Sequence, residues 1–219
     1  MRDDWDRSCL AELQLEFPYL KTMHPVGRLD ADTSGLLLFS SNGDLTQILL
    51  HPSSGVTREY EALVVGRVNA SMLGPVLSAG VKTTEGTFAA LLLDARDSGE
   101  LVPLKDVVPP RDSLVTTDSK GECVGELVPL KDAVPPRDSL VTTDSNGECF
   151  VATSAVRVSV TEGKYRMVRR VLHNAGHSVV RLHRVRYGGL LLGELDEGEV
   201  RAASQEEEQW ARGVLAARR

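Results

Sequence analysis

Residues 24–44, HPVGRLDADTSGLLLFSSNGD, form the most informative stretch of this chain. A short loop with Asp30 and Asp32 leads directly into the apolar run 36–39, which has the length of a buried strand. A carboxylate at the entrance to a buried strand lies beside low-dielectric surroundings, which suits a reactive group. An aspartate in such a loop often only caps the turn, and these residues by themselves favour that plainer interpretation.

The sequence on the C-terminal side of this stretch predicts a mixture of strands and helices. Asn69 is placed to cap one helix and Gly176 to end another. The order of elements has no regular β-α-β alternation, so we expect the α+β class with a mixed, mainly antiparallel sheet. Hydrophobic periodicity predicts strands at 36–39, 57–65, within 81–94, at 155–160 and at 179–187, and helices at 45–50, 70–78 and 166–175.

An internal repeat interrupts this pattern. GELVPLKDVVPPRDSLVTTDSKGEC (99–123) returns as GELVPLKDAVPPRDSLVTTDSNGEC (125–149) with two differences. Two copies are too few for a solenoid, and the proline-rich composition is typical of loops. We therefore predict one domain over 1–219, interrupted by a flexible surface loop over 97–150 that is peripheral to the chemistry. A role of the repeat in binding a partner is the alternative.

Composition limits the class of protein. The chain has 219 residues, 42% of them hydrophobic and 26% charged, which is ordinary for a globular protein. The sequence has no apolar run long enough for a membrane span, and the first twenty residues do not resemble a signal peptide. We expect a soluble intracellular protein, in the cytoplasm or an organelle. Cys123 and Cys149 occupy equivalent repeat positions, so duplication explains them better than metal binding.

The distribution of charge indicates a polyanionic partner. The net charge is -6, but residues 97–149 alone hold eleven acidic and five basic residues. Residues 157–186 hold eight basic residues and only one acid, Glu162. Neutralising phosphates requires such a local excess, whatever the total charge. A solvated basic face is the alternative, but such faces usually interleave acids.

Three segments in sequence order resemble the motifs of RNA pseudouridine synthases, in particular the RsuA-type branch that modifies ribosomal RNA. They are GRLDADTSGLLLF (27–39), REYEALVVG (58–66) and EGKYRMVRRVLHNAGHSVVRLHRVRYGGLLLGELDEGEVRAAS (162–204). The resemblance covers most of the chain outside 97–150 and the two ends. It implies a sheet with flanking helices and a central cleft. Many members carry an S4-like RNA-binding module first, and this chain begins too close to GRLD to include one.

The resemblance also assigns roles to residues. It makes Asp30 the essential aspartate, Tyr60 the aromatic that packs on the target base, and Arg169 the basic residue that pairs with the aspartate. The implied reaction breaks the N1–C1′ bond of uridine, turns the base and rejoins it through C5. This isomerisation needs no redox step and no metal, so we expect no cofactor. Asp30 must act ionised, either attacking C1′ or removing a proton from the sugar, and both roles stay open.

The expected partner is RNA, ribosomal RNA or a pre-ribosomal particle, bound by a monomer. A catalytically inactive RNA-binding or assembly protein of the same fold is the main alternative, and a scaffold acting through the acidic repeat is a weaker one. The three histidines at 173, 177 and 183 lack metal-like spacing, and we expect them at the surface or in contact with RNA. The candidate RNA-binding residues are Arg28, Arg58, Lys164, Arg166, Arg170, Arg181, Arg184 and Arg186.

Overall fold

The computed structural model describes residues 10–103, 106–107, 141–143, 145 and 148–217. The helices are α1 (Leu10–Glu16), α2 (Gly43–Leu50), α3 (Ala70–Ala79), α4 (Met167–Asn174) and α5 (Gln205–Ala216), with 3-10 turns at Pro18–Thr22 and Pro52–Ser54. The strands are β1 (His24–Pro25), β2 (Thr33–Gly35), β3 (Phe39–Ser40), β4 (Arg58–Val65), β5 (Val81–Thr83), β6 (Gly86–Phe88), β7 (Leu91–Pro103), β8 (Val141–Thr143), β9 (Cys149–Val160), β10 (Val179–Tyr187) and β11 (Leu190–Leu191).

One seven-stranded sheet dominates the described residues, with the order β11-β10-β4-β9-β7. All neighbours on this path are antiparallel, whereas β2 joins β10 in parallel and β8 adds to β9. Two small antiparallel pairs, β1 with β3 and β5 with β6, lie outside this sheet. The expected α+β class with a mainly antiparallel sheet is confirmed.

Helix α4 is buried on nearly its whole circumference. The predicted apolar stripe packs into the larger hydrophobic cluster through Met167, Val168, Val171 and Leu172. The arginines between these positions are also buried, because they bind neighbouring acidic side chains rather than solvent. The helix predicted at 166–175 is therefore confirmed, with a more enclosed environment than an amphipathic surface helix has.

Helix caps explain where other elements begin. The Asn69 side chain accepts a hydrogen bond from the Ser71 N–H at 3.1 Å, which confirms Asn69 as the cap of α3. Helix α5 begins with a capping box in which Ser204 and Glu207 bind each other's backbone N–H groups. None of the helices in the described parts of the chain is long and apolar enough to cross a membrane.

Two predicted boundaries are wrong. The apolar run 36–39 is not one strand, because β2 ends at Gly35 with a φ of 107° and β3 begins only at Phe39. The segment 97–150 is not a loop at its ends, since β7 continues to Pro103, β9 begins at Cys149, and β8 pairs with β9. The middle of the repeat, which includes Cys123, lies outside the described residues.

Candidate active site

A cleft of about 550 Å³ is lined by members of both hydrophobic clusters of the fold. Its lining comes from the loop 25–33, from strands β4 and β10, and from the segment 162–168 that leads into α4. The volume is in the range of small-ligand sites in proteins. The polar side chains of the lining belong to Arg28, Asp30, Thr33, Arg58, Tyr60, Glu162, Lys164, Tyr165, Arg184 and Tyr187.

Asp30 occupies a tight turn at the cleft. The Thr33 N–H donates to the Asp30 carbonyl at 2.9 Å, and β2 then runs parallel to β10. Burial raises the pKa of the Asp30 carboxyl above its usual value, Arg166 opposes the rise, and Asp32 adds to it. Among the described residues, no hydrogen-bond or ion-pair partner lies within reach of the Asp30 side chain. Its carboxylate is half-buried and free to contact a bound molecule.

Asp32, two residues further on, holds the arginines instead. Arg166 donates to both Asp32 carboxylate oxygens at 2.8 and 2.7 Å, and the Arg169 Nε lies 3.4 Å from Oδ2. Arg169 also donates to the Asp32 carbonyl and, at 3.3 Å, to the Val179 carbonyl. The expected pairing of Arg169 with Asp30 is therefore wrong, because the acidic residue that Arg169 contacts is Asp32. Arg169 lies beside the cleft and affects Asp30 through its charge.

Arg166 has an unusual backbone. Its φ of 47° is in the left-handed region, and among the described residues no other non-glycine residue has a positive φ. This conformation costs roughly 1 kcal/mol or more for an ordinary side chain. The residue is the N-cap of α4 and makes no side-chain cap bond, so its guanidinium is available for Asp32.

Tyr60 and Arg184 lie side by side on the cleft floor, because they are direct partners in the antiparallel register of β4 and β10. Tyr60 is buried and belongs to the larger hydrophobic cluster. Arg184 donates from Nε to the Leu36 carbonyl at 2.7 Å, and its buried Nη2 has no hydrogen-bond partner within the described parts of the chain. The structure thus brings Asp30 and Tyr60 to one cavity.

Three predicted RNA-binding arginines serve the fold. Arg58 is buried and donates to the carbonyls of Val56, Thr161 and Leu49 and to the Tyr187 hydroxyl, all within 3.2 Å. Arg170 is buried against the β5–β6 turn, where it pairs with Glu85 at 2.9 Å. With Arg184, these side chains have little guanidinium surface left for a phosphate.

The remaining predicted cations are more accessible. Arg181 pairs with Glu100 and Arg186 with Glu59, both at partly exposed positions. Arg28 and Lys164 are exposed, line the cleft, and have no salt-bridge partner among the residues that the structure describes. These two are the cations best placed to meet an incoming phosphate.

The histidine prediction is wrong for two of the three residues. His173 and His177 are buried, where His173 hydrogen-bonds Ser178 at 2.7 Å and His177 contacts the Val65 carbonyl at 3.1 Å. Burial lowers the pKa of both imidazoles, so both are neutral at pH 7. His183 is half-buried and hydrogen-bonds Ser34 at 2.8 Å. They support the fold around α4 and β10.

Three residues in or beside the site were given no role from the sequence. Asp32 is the anchor of two arginines, Tyr165 is an exposed aromatic at the cleft, and Tyr187 is a buried aromatic in its lining. The signal for Tyr165 was present, since it lies between Lys164 and Arg166, and aromatic residues among cations are typical of nucleic-acid contacts. Its ring packs under the Arg170 guanidinium, 5.5 Å from the centroid.

Comparison with known proteins identifies a family. The sequence model of the RNA pseudouridylate synthase family matches residues 3–174. An uncharacterised RNA pseudouridine synthase of Mycobacterium tuberculosis is 31% identical over 208 residues, covering 94% of this chain and 61% of the relative. The ribosomal large subunit pseudouridine synthase B of Bacillus subtilis is 26% identical over 206 residues, covering 94% and 63%. The chain thus spans about three fifths of the length of these relatives.

A solved structure supports the fold assignment. The crystal structure of a pseudouridylate synthase superposes with a TM-score of 0.57 at 20% identity, over 89% of this chain and 62% of the other. The resemblance found in the three sequence motifs is confirmed by these matches.

Proposed function

Because this chain belongs to the RNA pseudouridylate synthase family, we propose that it converts uridine to pseudouridine in RNA, with ribosomal RNA as its substrate. The observation that carries the proposal is the Asp30 carboxylate, which lines a nucleotide-sized cleft without a hydrogen-bonding partner among the described residues. A pure RNA-binding protein has no need for a half-buried carboxylate facing its ligand. That contrast favours the enzyme over the inactive RNA-binding alternative.

The chemistry rearranges bonds without adding or removing atoms overall. The N1–C1′ bond of uridine breaks, the uracil turns, and C5 bonds to C1′ while its proton transfers to solvent and N1 gains one. Asp30, in its ionised form, either bonds to C1′ as N1 leaves or removes a proton from the sugar. Arg166 and Arg169 favour ionisation through their charge, although neither blocks the carboxylate oxygens with a hydrogen bond.

Substrate binding requires the target uridine to leave its helical stack, which costs a few kcal/mol. Tyr60 on the cleft floor and Tyr165 at an exposed position of the lining offer aromatic surfaces to the displaced bases. Stacking on an aromatic side chain contributes about 1–3 kcal/mol per base. Arg28 and Lys164 add positive charge for the phosphates on either side of the flipped nucleotide.

We further propose that the protein acts as a monomer on ribosomal RNA. The relatives named as ribosomal large subunit synthases support the substrate class. We also propose that residues 1–219 form a single domain.

Mapping of pseudouridine in ribosomal RNA tests the proposal. RNA from cells that lack the protein is incubated with the purified wild type, with Asp30→Asn, or with the control Asp94→Asn. The control removes an exposed carboxylate that pairs with Arg96 at 3.1 Å, outside the cleft lining. We expect a new pseudouridine with the wild type and the control and none with Asp30→Asn. RNA binding without any new pseudouridine would instead support the inactive alternative.

A further inference from the structure

Asp32 is the hub of a cluster that joins three parts of the fold. Its carboxylate accepts hydrogen bonds from both terminal nitrogens of Arg166, and its Oδ2 lies 3.4 Å from the Arg169 Nε. Its carbonyl accepts a second bond from Arg169, which also reaches the first residue of β10 through the Val179 carbonyl. One acidic residue thus attaches the loop of Asp30 to the start of α4 and to the start of β10.

We propose that Asp32 is a positioning residue, which binds Arg166 and Arg169 so that Asp30 stays fixed at the cleft and free of a direct ion pair. The inference rests on the proposed function for Asp30 and goes one step beyond it. It assigns to Asp32 the hydrogen bonds that a guanidinium would otherwise make to the reacting carboxylate.

The physical reason is that one carboxylate, Asp32, binds the arginines while the other, Asp30, keeps its oxygens accessible. A bidentate guanidinium on Asp30 would occupy the oxygen lone pairs that must bond to C1′ or take up a proton. A carboxylate without any cation nearby would be protonated more readily in this half-buried place. With the arginines bound to Asp32, Asp30 still experiences their positive charge while both of its oxygens stay accessible.

The strained backbone of Arg166 supports this arrangement. A left-handed φ at a non-glycine residue persists only where surrounding contacts compensate for its cost. The bidentate contact of Arg166 with Asp32 provides such compensation. The two residues are 134 positions apart in sequence, so the contact ties distant parts of the chain together.

The charges around Asp30 predict opposite effects for two substitutions. Arg28 and Asp32 face it from its own loop, and Arg166 and Arg169 face it from α4. Arg58, Glu162, Lys164 and Arg184 contribute the other charges in the cleft lining, and the tyrosines at 60, 165 and 187 complete its titratable groups. Asp32→Asn removes a negative neighbour and releases the arginines, so the pKa of Asp30 falls. Arg166→Gln removes a positive neighbour, so the pKa of Asp30 rises.

Two measurements on the same four proteins test the inference: wild type, Asp32→Asn, Arg166→Gln and the surface control Asp94→Asn. The first is titration of the Asp30 carboxyl carbon by ¹³C NMR without RNA, with its resonance assigned by its loss in Asp30→Asn. The second is the pH dependence of kcat/KM for pseudouridine formation. We expect the acid limb to move to lower pH in Asp32→Asn, to higher pH in Arg166→Gln, and to stay unchanged in the control.

The plateau of kcat/KM should also fall by about tenfold to a hundredfold in Asp32→Asn, because a loosely held loop misplaces the reacting carboxylate. A lower plateau with an unmoved acid limb and an unchanged Asp30 titration would reduce Asp32 to a purely structural residue and overturn the inference. Should Asp32→Asn fail to fold, Arg166→Gln decides by itself through the direction in which the Asp30 titration and the acid limb of kcat/KM move. Failure of the wild type to make pseudouridine rejects the proposed function separately, since the NMR titration needs no activity.

Discussion

Gly35 and Arg184 approach each other so closely that a Cβ added to Gly35 would lie 2.3 Å from the Arg184 carbonyl oxygen. Gly35 also has a φ of 107°, which side chains rarely tolerate. At this point β2 joins β10 in parallel, and the next N–H, of Leu36, donates to the same carbonyl at 2.8 Å. The glycine therefore permits the junction that places the Asp30 loop at the cleft.

Gly35→Ala should destabilise the fold and disturb the site together. The added Cβ would overlap the Arg184 backbone, which cannot move away as a flexible side chain can. We therefore expect a loss of about 2–3 kcal/mol in the free energy of unfolding. Urea unfolding measures it. Gly43→Ala at the start of α2 is the matched control, because among the described residues no atom outside its chain neighbours and its own helix backbone lies within 4 Å of the added Cβ. Equal stability of the two variants would contradict the close approach.

Arg58 and Lys164 both line the cleft, but the structure predicts opposite consequences of losing them. Arg58→Lys breaks buried hydrogen bonds and leaves acceptors such as the Leu49 carbonyl unpaired, so it should cost about 1–3 kcal/mol of stability. Lys164→Ala should leave stability within about 0.5 kcal/mol. It should instead weaken RNA binding and reduce the slope of log affinity against log salt by about one.

Thermal unfolding and binding titrations at several salt concentrations separate these effects. Arg67→Lys serves as the control for Arg58→Lys, since the Arg67 side chain is 73% exposed and its Nε lies 3.8 Å from the Asp97 Oδ2, too far for a hydrogen bond. A reduced salt slope in Arg58→Lys with full stability would show that Arg58 contacts phosphate after all.

Part of this site was predictable from the sequence because it depends on local patterns. The alternation in 57–65 placed Tyr60 on a strand, and the helical stripe from Met167 placed Arg169 on a helix. The family motifs then supplied Asp30. These features follow from periodicities of two and 3.6 residues, which neighbouring residues determine.

Contacts between distant segments were not predictable in this way. No local rule decides whether Arg169 binds Asp30 or Asp32, which are two residues apart and more than a hundred residues away from it. Nor does a basic stretch distinguish an arginine that binds phosphate from one that satisfies buried carbonyls, as Arg58 does. Both outcomes depend on where β10 and α4 dock against the N-terminal loop.

The repeat offers a deletion that leaves every described residue in place. β7 contains the first residues of copy one, and β8 contains residues of copy two. Deleting 108–133 therefore restores one complete copy and shortens the connection between β7 and β8 by 26 residues. Closing a connection that is shorter by this length costs about 1 kcal/mol less, so the free energy of unfolding should be equal or slightly higher, with activity retained.

Calorimetry and a pseudouridine assay check this prediction. Val102→Asp in β7 is the contrasting variant, since Val102 is buried and the carboxylate should destabilise the sheet edge. Loss of activity by the deletion, with its stability intact, would favour the alternative in which the repeat binds a partner.

Asp30→Asn should stabilise the protein at neutral pH. Because burial raises the pKa of Asp30 in the folded state, ionisation there costs folding free energy. That cost is present above the folded pKa and disappears as pH falls below the unfolded value. The melting temperature of Asp30→Asn should therefore exceed that of the wild type at pH 7 and approach it near pH 3. A lower melting temperature at pH 7 would mean that Asp30 supports the fold.

The most direct test of the central claim is release of tritium from ribosomal RNA labelled at C5 of uridine, because bonding of C5 to C1′ expels that hydrogen. Wild-type protein should release one tritium for each modified site, and Asp30→Asn, folded and able to bind the same RNA, should release none above background. Equal release by both proteins would contradict the assignment of the covalent chemistry to Asp30.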